Sequence, residues 1–166
     1  MSSKPKFVEK LSYAAWIGDR SMLQTLWPTN WGITSSISGW TALHSAVWNM
    51  HRDVVRDLLT FGSWKDWQNK KDHTECSLLH FAVRNHDLET LQLLLDPKSK
   101  ADVNFTDSAG RTALHEAAIC GNIEATSALL DAGAEKGKAD LQGRSPRMYA
   151  GELKNKEVAR ELLLLL

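Results

Sequence analysis

GRTALHEAAICG, residues 110–121, rewrites the pattern of GWTALHSAVWNM, residues 39–50, and SLLHFAVRNH at 77–86 keeps most of it. The recurrence has a period. GRTALH aligns with GRSPRM 33 residues further on, and the histidines of the motif, His44, His80 and His115, lie 36 and 35 residues apart. A fainter copy, LSYAAWIGD, places Ala14-Ala15 where Ala117-Ala118 fall, which gives five units of about thirty-three residues with small insertions. Within the unit at 107–139, Thr112 precedes Ala113, Leu114, Ala117 and Ala118, a small-residue face with helical spacing that lets neighbouring helices approach closely. Gly121 stops that helix in the manner of a C′ glycine. The segment 122–130 turns Ile123, Ala125, Leu129 and Leu130 to one side, and Ala-Gly-Ala at 132–134 ends it. Isolated helices under about 12 residues are marginal in water, so stacking of units must supply the burial.

DSAGRTALHEAAICGNIEATSALLDAGA, residues 107–134, resembles the ankyrin repeat nearly position for position, and the looser units extend that resemblance over almost the whole chain. The resemblance implies an all-α solenoid of stacked antiparallel helix pairs joined by hairpin-like loops. One domain over 1–166 is expected, with approximate repeats 5–36, 37–71, 72–106, 107–139 and 140–166. It also implies binding to other proteins, usually without catalysis.

Composition points the same way. The chain has 166 residues, 43% of them apolar, and Lys plus Arg equals Asp plus Glu at 20 each. A balanced charge supplies no field for phosphate backbones or anionic lipid, so neither nucleic acid nor membrane is an expected partner. Cys76 and Cys120 are too few for a disulfide framework, and the N-terminus has no apolar h-region. These features predict a mature chain that starts near Met1 and works in the cytosol or nucleus.

Three histidines recurring along a stack invite a metal reading. Successive units lie about 10 Å apart, too far for ligands at roughly 2.0–2.1 Å from one zinc. The expectation is a ladder of structural imidazoles at His44, His80 and His115, with no metal and no cofactor. Asp53, Asp57, Asp72 and Glu75 read as solvated or capping residues, and no nucleophile, base and orienting group form a local motif. No catalytic residue is assigned. The rival reading, a small hydrolase built on surface acids and the repeat histidines, is disfavoured by the separation of those histidines by whole units.

By register with the ankyrin pattern, residues flanking the loop glycine and those ending the first helix line the concave face where family members usually hold partners. The loop positions are Ile37, Ser38 and Trp40; His73, Thr74 and Cys76; Ser108, Ala109 and Arg111; and Leu141, Gln142 and Arg144. One row reads Trp16, Trp48, Arg84, Ile119, Glu152, and the other Trp40, Cys76, Arg111, Arg144. Trp and Arg are the types most enriched at binding hot spots, so Trp16, Trp40, Trp48, Arg84, Arg111, Ile119 and Arg144 are the candidate contacts with a protein partner. The competing reading packs one or more of these indoles into the core. Trp27, Trp31, Trp64 and Trp67 occupy the connections after the first two units, either as partner-specific fingers or as cover for an apolar flank.

Several positions depart from the pattern. Met50 and His86 stand where Gly121 stands, which predicts altered turns and softer units there. DPKSKADVN at 96–104 reads as a solvated loop, and Pro146-Arg147-Met148 suits an end unit. The tail EVARELLLLL must expose some leucines unless a partner or a second copy covers them, or unless the chain is a piece of something longer. A monomer is expected, with self-association through those leucines as an alternative.

Overall fold

Three of the inner helices start at a hydroxyl residue and carry a histidine three positions later. Thr41 caps Ala42–Trp48, Ser77 caps Leu78–Arg84 and Thr112 caps Ala113–Cys120, and in all three the cap and His44, His80 or His115 form a reciprocal capping box. The imidazole takes the part usually played by Glu or Gln: its Nδ1 accepts the backbone N–H of the cap residue, at 3.3, 3.2 and 3.0 Å.

The computed structural model describes residues 7–26, 40–61, 75–99 and 101–166. Ile37, Ser38, Asp72, His73, Thr74, Trp27, Trp31, Trp64 and Trp67 lie outside those residues. Among the described residues ten α-helices form five successive antiparallel pairs: α1 (Phe7–Ile17) with α2 (Arg20–Thr25), α3 (Ala42–Trp48) with α4 (Arg52–Phe61), α5 (Leu78–Arg84) with α6 (Leu88–Leu95), α7 (Ala113–Cys120) with α8 (Ile123–Asp131), and α9 (Pro146–Gly151) with α10 (Lys156–Leu165). The inner helices α1, α3, α5, α7 and α9 pack in sequence as one layer, and α4, α6, α8 and α10 as a second. Between the layers runs a core of Leu43, Leu91, Leu114 and Leu129 with the alanines 15, 46, 82 and 117, all essentially sealed. Alanine at the contacts is what allows helices of six to eight residues, too short to persist alone, to sit close enough to hold one another.

Ion pairs run along the outer layer. Arg20 of α2 reaches Asp57 of α4 at 2.7 Å, and Arg52 and Arg56 of α4 reach Asp87 and Glu89 at the start of α6 at 2.8 and 2.7 Å. The Arg56–Glu89 pair is open on both sides and sets register more than it adds stability, whereas the Asp87 carboxylate is buried beneath Arg52.

The turns after α3, α5 and α7 make the same closure. The amides of Met50 and His51, His86 and Asp87, and Gly121 and Asn122 bond back to the carbonyls of Val47 and Ala46, Val83 and Ala82, and Ala118 and Ala117. Met50 and His86 do not alter the turn, contrary to expectation: they adopt φ of 57° and 52°, close to the 69° of Gly121. The loop position occupied by Gly110 and Gly143 (φ 77° and 76°) is held in the preceding loop by Glu75 at φ 59°. Backbone hydrogen bonding fixes the conformation, and the side chain bears the strain.

In 96–104, Asp96, Pro97, Lys98 and Asp102 are exposed, as a solvated loop requires, and Ser99 is buried. Pro97–Ser99 make a 3-10 turn, and the buried Ser99 hydroxyl donates to the Leu94 carbonyl and accepts the Ala101 amide, sealing the end of α6. At the other end α10 is amphipathic: Ala159 and Leu162 are buried, and Leu164 stands 83% exposed. Its terminal carbonyls receive cations, Lys136 Nζ on Leu165 and Arg147 on Leu163 at 2.5 and 2.6 Å.

Two outcomes follow. An added Cβ at Gly110 lies 2.9 Å from the Leu141 backbone nitrogen, whereas one at Gly143 meets nothing within 4 Å. Gly110→Ala is expected to cost about 3 kcal/mol and Gly143→Ala about 1 kcal/mol, compared by urea denaturation. Burial holds the imidazoles of His80 and His115 below the ordinary histidine range. The unfolded chain therefore takes up protons near pH 6.5 that the folded chain resists, so stability is fully present above about pH 6.5 and falls as the solution is acidified. The urea midpoint should decline between about pH 6.5 and 5, and the His80→Ala and His115→Ala double variant should flatten that decline while starting from lower stability.

Candidate functional site

The ends of α1 and α3 and the residue before the Thr41 cap bring Trp16, Trp48 and Trp40 together. Trp40 is the centre of the group. Its ring centroid lies 6.4 Å from that of Trp16 and 5.5 Å from that of Trp48, with the planes tilted by 34° and 50°. Phe81, on the adjoining face of α5 and itself 3% exposed, forms the floor: it meets Trp40 and Trp48 edge-on at 5.8 and 5.4 Å. Such tilted and edge-to-face contacts suit the ring quadrupoles and add about 0.5–1.5 kcal/mol per pair beyond area burial. Trp40 is half-buried and packs against the main core, while Trp16 and Trp48 remain 44% and 43% exposed. Ile17, Tyr13 and Met50 are exposed apolar residues of the same helix pairs.

The backbone behind this cluster is tied by polar side chains of the next pair. His51 Nε2 bonds the Trp16 carbonyl at 2.9 Å, and Asn85 Nδ2 donates to the Val47 and Trp48 carbonyls at 3.0 and 3.1 Å. The orphan carbonyls at the ends of α1 and α3 are thus satisfied from the neighbouring unit.

The arginines are engaged inside the protein. Arg84 forms a two-pronged pair with Glu116 of α7, 2.7 Å from Nε to one oxygen and 3.2 Å from Nη2 to the other, and its Nη1 lies 3.6 Å from Cys76 Sγ. The hydrogen bond to Glu116 holds Arg84 well above the usual arginine range. Arg111 turns back on Asp107 at 2.9 Å, and Arg144 pairs with Glu152 at 2.5 Å while lying 3.9 Å over the Tyr149 ring. Burial works to raise the Asp107 carboxyl, and bonds from the Arg111 backbone and guanidinium outweigh it and keep the carboxyl below the ordinary range. Asp140 is likewise held low, with the Tyr149 hydroxyl donating to it at 2.6 Å. Ile119 and Cys120 are partly covered at the end of α7, and burial pushes the Cys120 thiol up.

The inner-helix histidines join successive loops. With Nδ1 accepting from its own cap, the proton sits on Nε2, which donates to the carbonyl of the next loop: His80 to Arg111 at 2.9 Å and His115 to Arg144 at 3.1 Å. Among the described residues no three His, Cys, Asp or Glu side chains gather as a metal-ligand set, and no helix is long and apolar enough to cross a membrane.

Sequence reasoning did not find Phe81 as the floor of the cluster, nor Glu116, Asp107, Glu152 and Tyr149 as the partners of the arginines. A signal existed for one of them. Arg84 and Glu116 are 32 residues apart, close to one unit, so register alone sets them on facing helices.

The family described as ankyrin repeats (3 copies) matches residues 11–107 and again residues 79–165. A fowlpox virus (strain NVSL) protein named as an ankyrin repeat protein, FPV223, is 31% identical over 132 residues, 80% of this chain and 89% of the viral protein. B-cell lymphoma 3 protein homolog of Mus musculus is 34% identical over 127 residues, 75% of this chain and 28% of that protein. Diacylglycerol kinase zeta of Rattus norvegicus is 34% identical over 92 residues, 55% of this chain. The chain spans only 10% of the kinase's length.

Replacing Arg84 by Met leaves the Glu116 side chain, 9% exposed, without its counter-charge. Arg84→Met is expected to destabilise by about 2–3 kcal/mol, and adding Glu116→Gln should restore part of the loss, read as a double-mutant cycle in urea.

Proposed function

The chain belongs to the ankyrin-repeat family, and from that footing we propose that it is a non-catalytic module whose protein partner seats on the surface built by Trp16, Trp40 and Trp48. Ankyrin repeats are generally protein–protein interaction modules and generally lack catalysis. The five helix pairs correspond in this reading to five repeats of one domain, working as a monomer in the cytosol or nucleus. Its action is that of an adaptor, inhibitor or assembly chaperone, occluding or presenting another protein's surface on the concave face.

The exposure of Trp16 and Trp48 over a packed floor carries the proposal. With an aromatic side chain burying about 150–250 Å², covering the two-fifths of each indole left in water stabilises a complex by about 2 kcal/mol per ring. Packing against Trp40 and Phe81 restrains the rings before the partner arrives, which reduces the ordering cost of association. Arg84, Arg111 and Arg144, with Ile119 between them, orient the partner along the rest of the row. Each guanidinium is already charge-compensated, so they serve alignment and leave the anchoring to the indoles.

The test is affinity capture from native lysate by the intact chain and by a Trp16→Ala, Trp48→Ala variant, with circular dichroism confirming that the variant is folded. A protein retained by the parent and weakened by about thirtyfold or more in the variant is the expected result, since hot-spot truncations cost about 2 kcal/mol or more. Equal retention by both would sink the proposal.

A further inference from the structure

The hydroxyls that cap the inner helices are of two kinds. Those of Thr41, Ser77 and Thr112 belong to residues at most 2% exposed, and each lies 2.8–2.9 Å from the Nδ1 of its own histidine, to which it donates. Ser145, the cap of α9, is part-exposed, and its hydroxyl has no imidazole to bond because Met148 stands where those histidines stand. Met148 is itself 55% exposed, and Arg147 beside it also faces solvent.

The sequence around this hydroxyl is RSPR, residues 144–147. It is the one place in the chain where a proline follows a serine or threonine, the other prolines following Lys4, Trp27 and Asp96. Ser145 holds φ −88° and ψ 163°, the extended form that a following proline favours and in which a protein kinase takes its substrate. Pro146 is buried, so an enzyme that reads it engages the first turn of α9 once that turn has opened. The turn is fastened more lightly than its counterparts, since Pro146 has no amide to donate and no imidazole closes on the cap. Helix ends held by few bonds lie at the low end of the range of opening energies.

We propose that Ser145 is a phosphorylation site for a proline-directed serine kinase. The Ser145 oxygen forms a bond to the γ-phosphorus of ATP, the bond from that phosphorus to the bridging oxygen of the departing ADP breaks, and the hydroxyl proton passes to the general base of the kinase. The product carries about −1.5 to −2 charges near pH 7 between Arg144 and Arg147 in the chain. Arg144 is at present satisfied by Glu152, itself 67% exposed, and such an open pair is weak. Phosphorylation thus changes the charge at the last arginine of the row along the stack, and the site stands whether or not a partner seats on the tryptophans.

The intact chain, incubated with a proline-directed serine kinase and magnesium ATP and read by mass spectrometry, tests this beside the peptide GRSPRMYAG of residues 143–151. Phosphate is expected on Ser145 in both, and is lost from the chain in Ser145→Ala and in Pro146→Ala, with circular dichroism showing both variants folded. Met148→Ile is expected to leave the rate as it is. Met148→His restores the imidazole that occupies the hydroxyl and fastens the turn, and is expected to slow the folded chain about threefold or more while the peptide with the same change is unaffected. A peptide phosphorylated while the chain is not would overturn the proposal, as would a peptide that is itself refused. So would phosphate that persists in Ser145→Ala, or a Met148→His chain modified as fast as the parent.

Discussion

A single imidazole, used with both nitrogens, determines how this stack is built. Nδ1 takes the cap amide of its own helix and Nε2 gives its proton to the carbonyl of the following loop, so one side chain closes a helix start and spaces the next unit. Glutamate could serve the first duty and not the second, because an ionised carboxylate has no proton to donate. Neutrality is part of the requirement, and burial enforces it at His80 and His115. The helices between these joints can be short because they are positioned from their ends.

What could be read from the residues alone was the local grammar. The spacing of Thr112, His115, Ala117, Ala118 and Gly121 specifies cap, bridge, close contact and stop, each within a few residues of the next, where chain geometry leaves few alternatives. The left-handed turn was legible at Gly121 and misread at Met50 and His86, where composition argued for a different turn and hydrogen bonds of the closure prevailed. Side-chain pairing between units was harder. Arg84 finds Glu116, Arg111 folds back on Asp107, and Arg144 divides itself between Glu152 and Tyr149; such choices depend on rotamers and burial that no one-dimensional pattern carries.

The tryptophans lie between these cases. Register brought Trp16, Trp40 and Trp48 to one neighbourhood, and packing divided their duties: Trp40 sinks against the core while Trp16 and Trp48 stay in reach of solvent. Trp40 fits the core-filler reading, and Trp16 and Trp48 keep the exposure that a contact role requires. Phe81 is what makes the division, since a large ring below Trp40 and Trp48 fills the space an indole would otherwise take.

The acceptor that each histidine uses in the next loop is a main-chain oxygen, at Arg111 and at Arg144, and never the side chain of those residues. Main chain and side chain at these positions are in this way left to separate duties. The residue at a loop tip can be exchanged while the joint beneath stays as it is. Tolerance of side-chain change without change of architecture is a property of that one choice of oxygen.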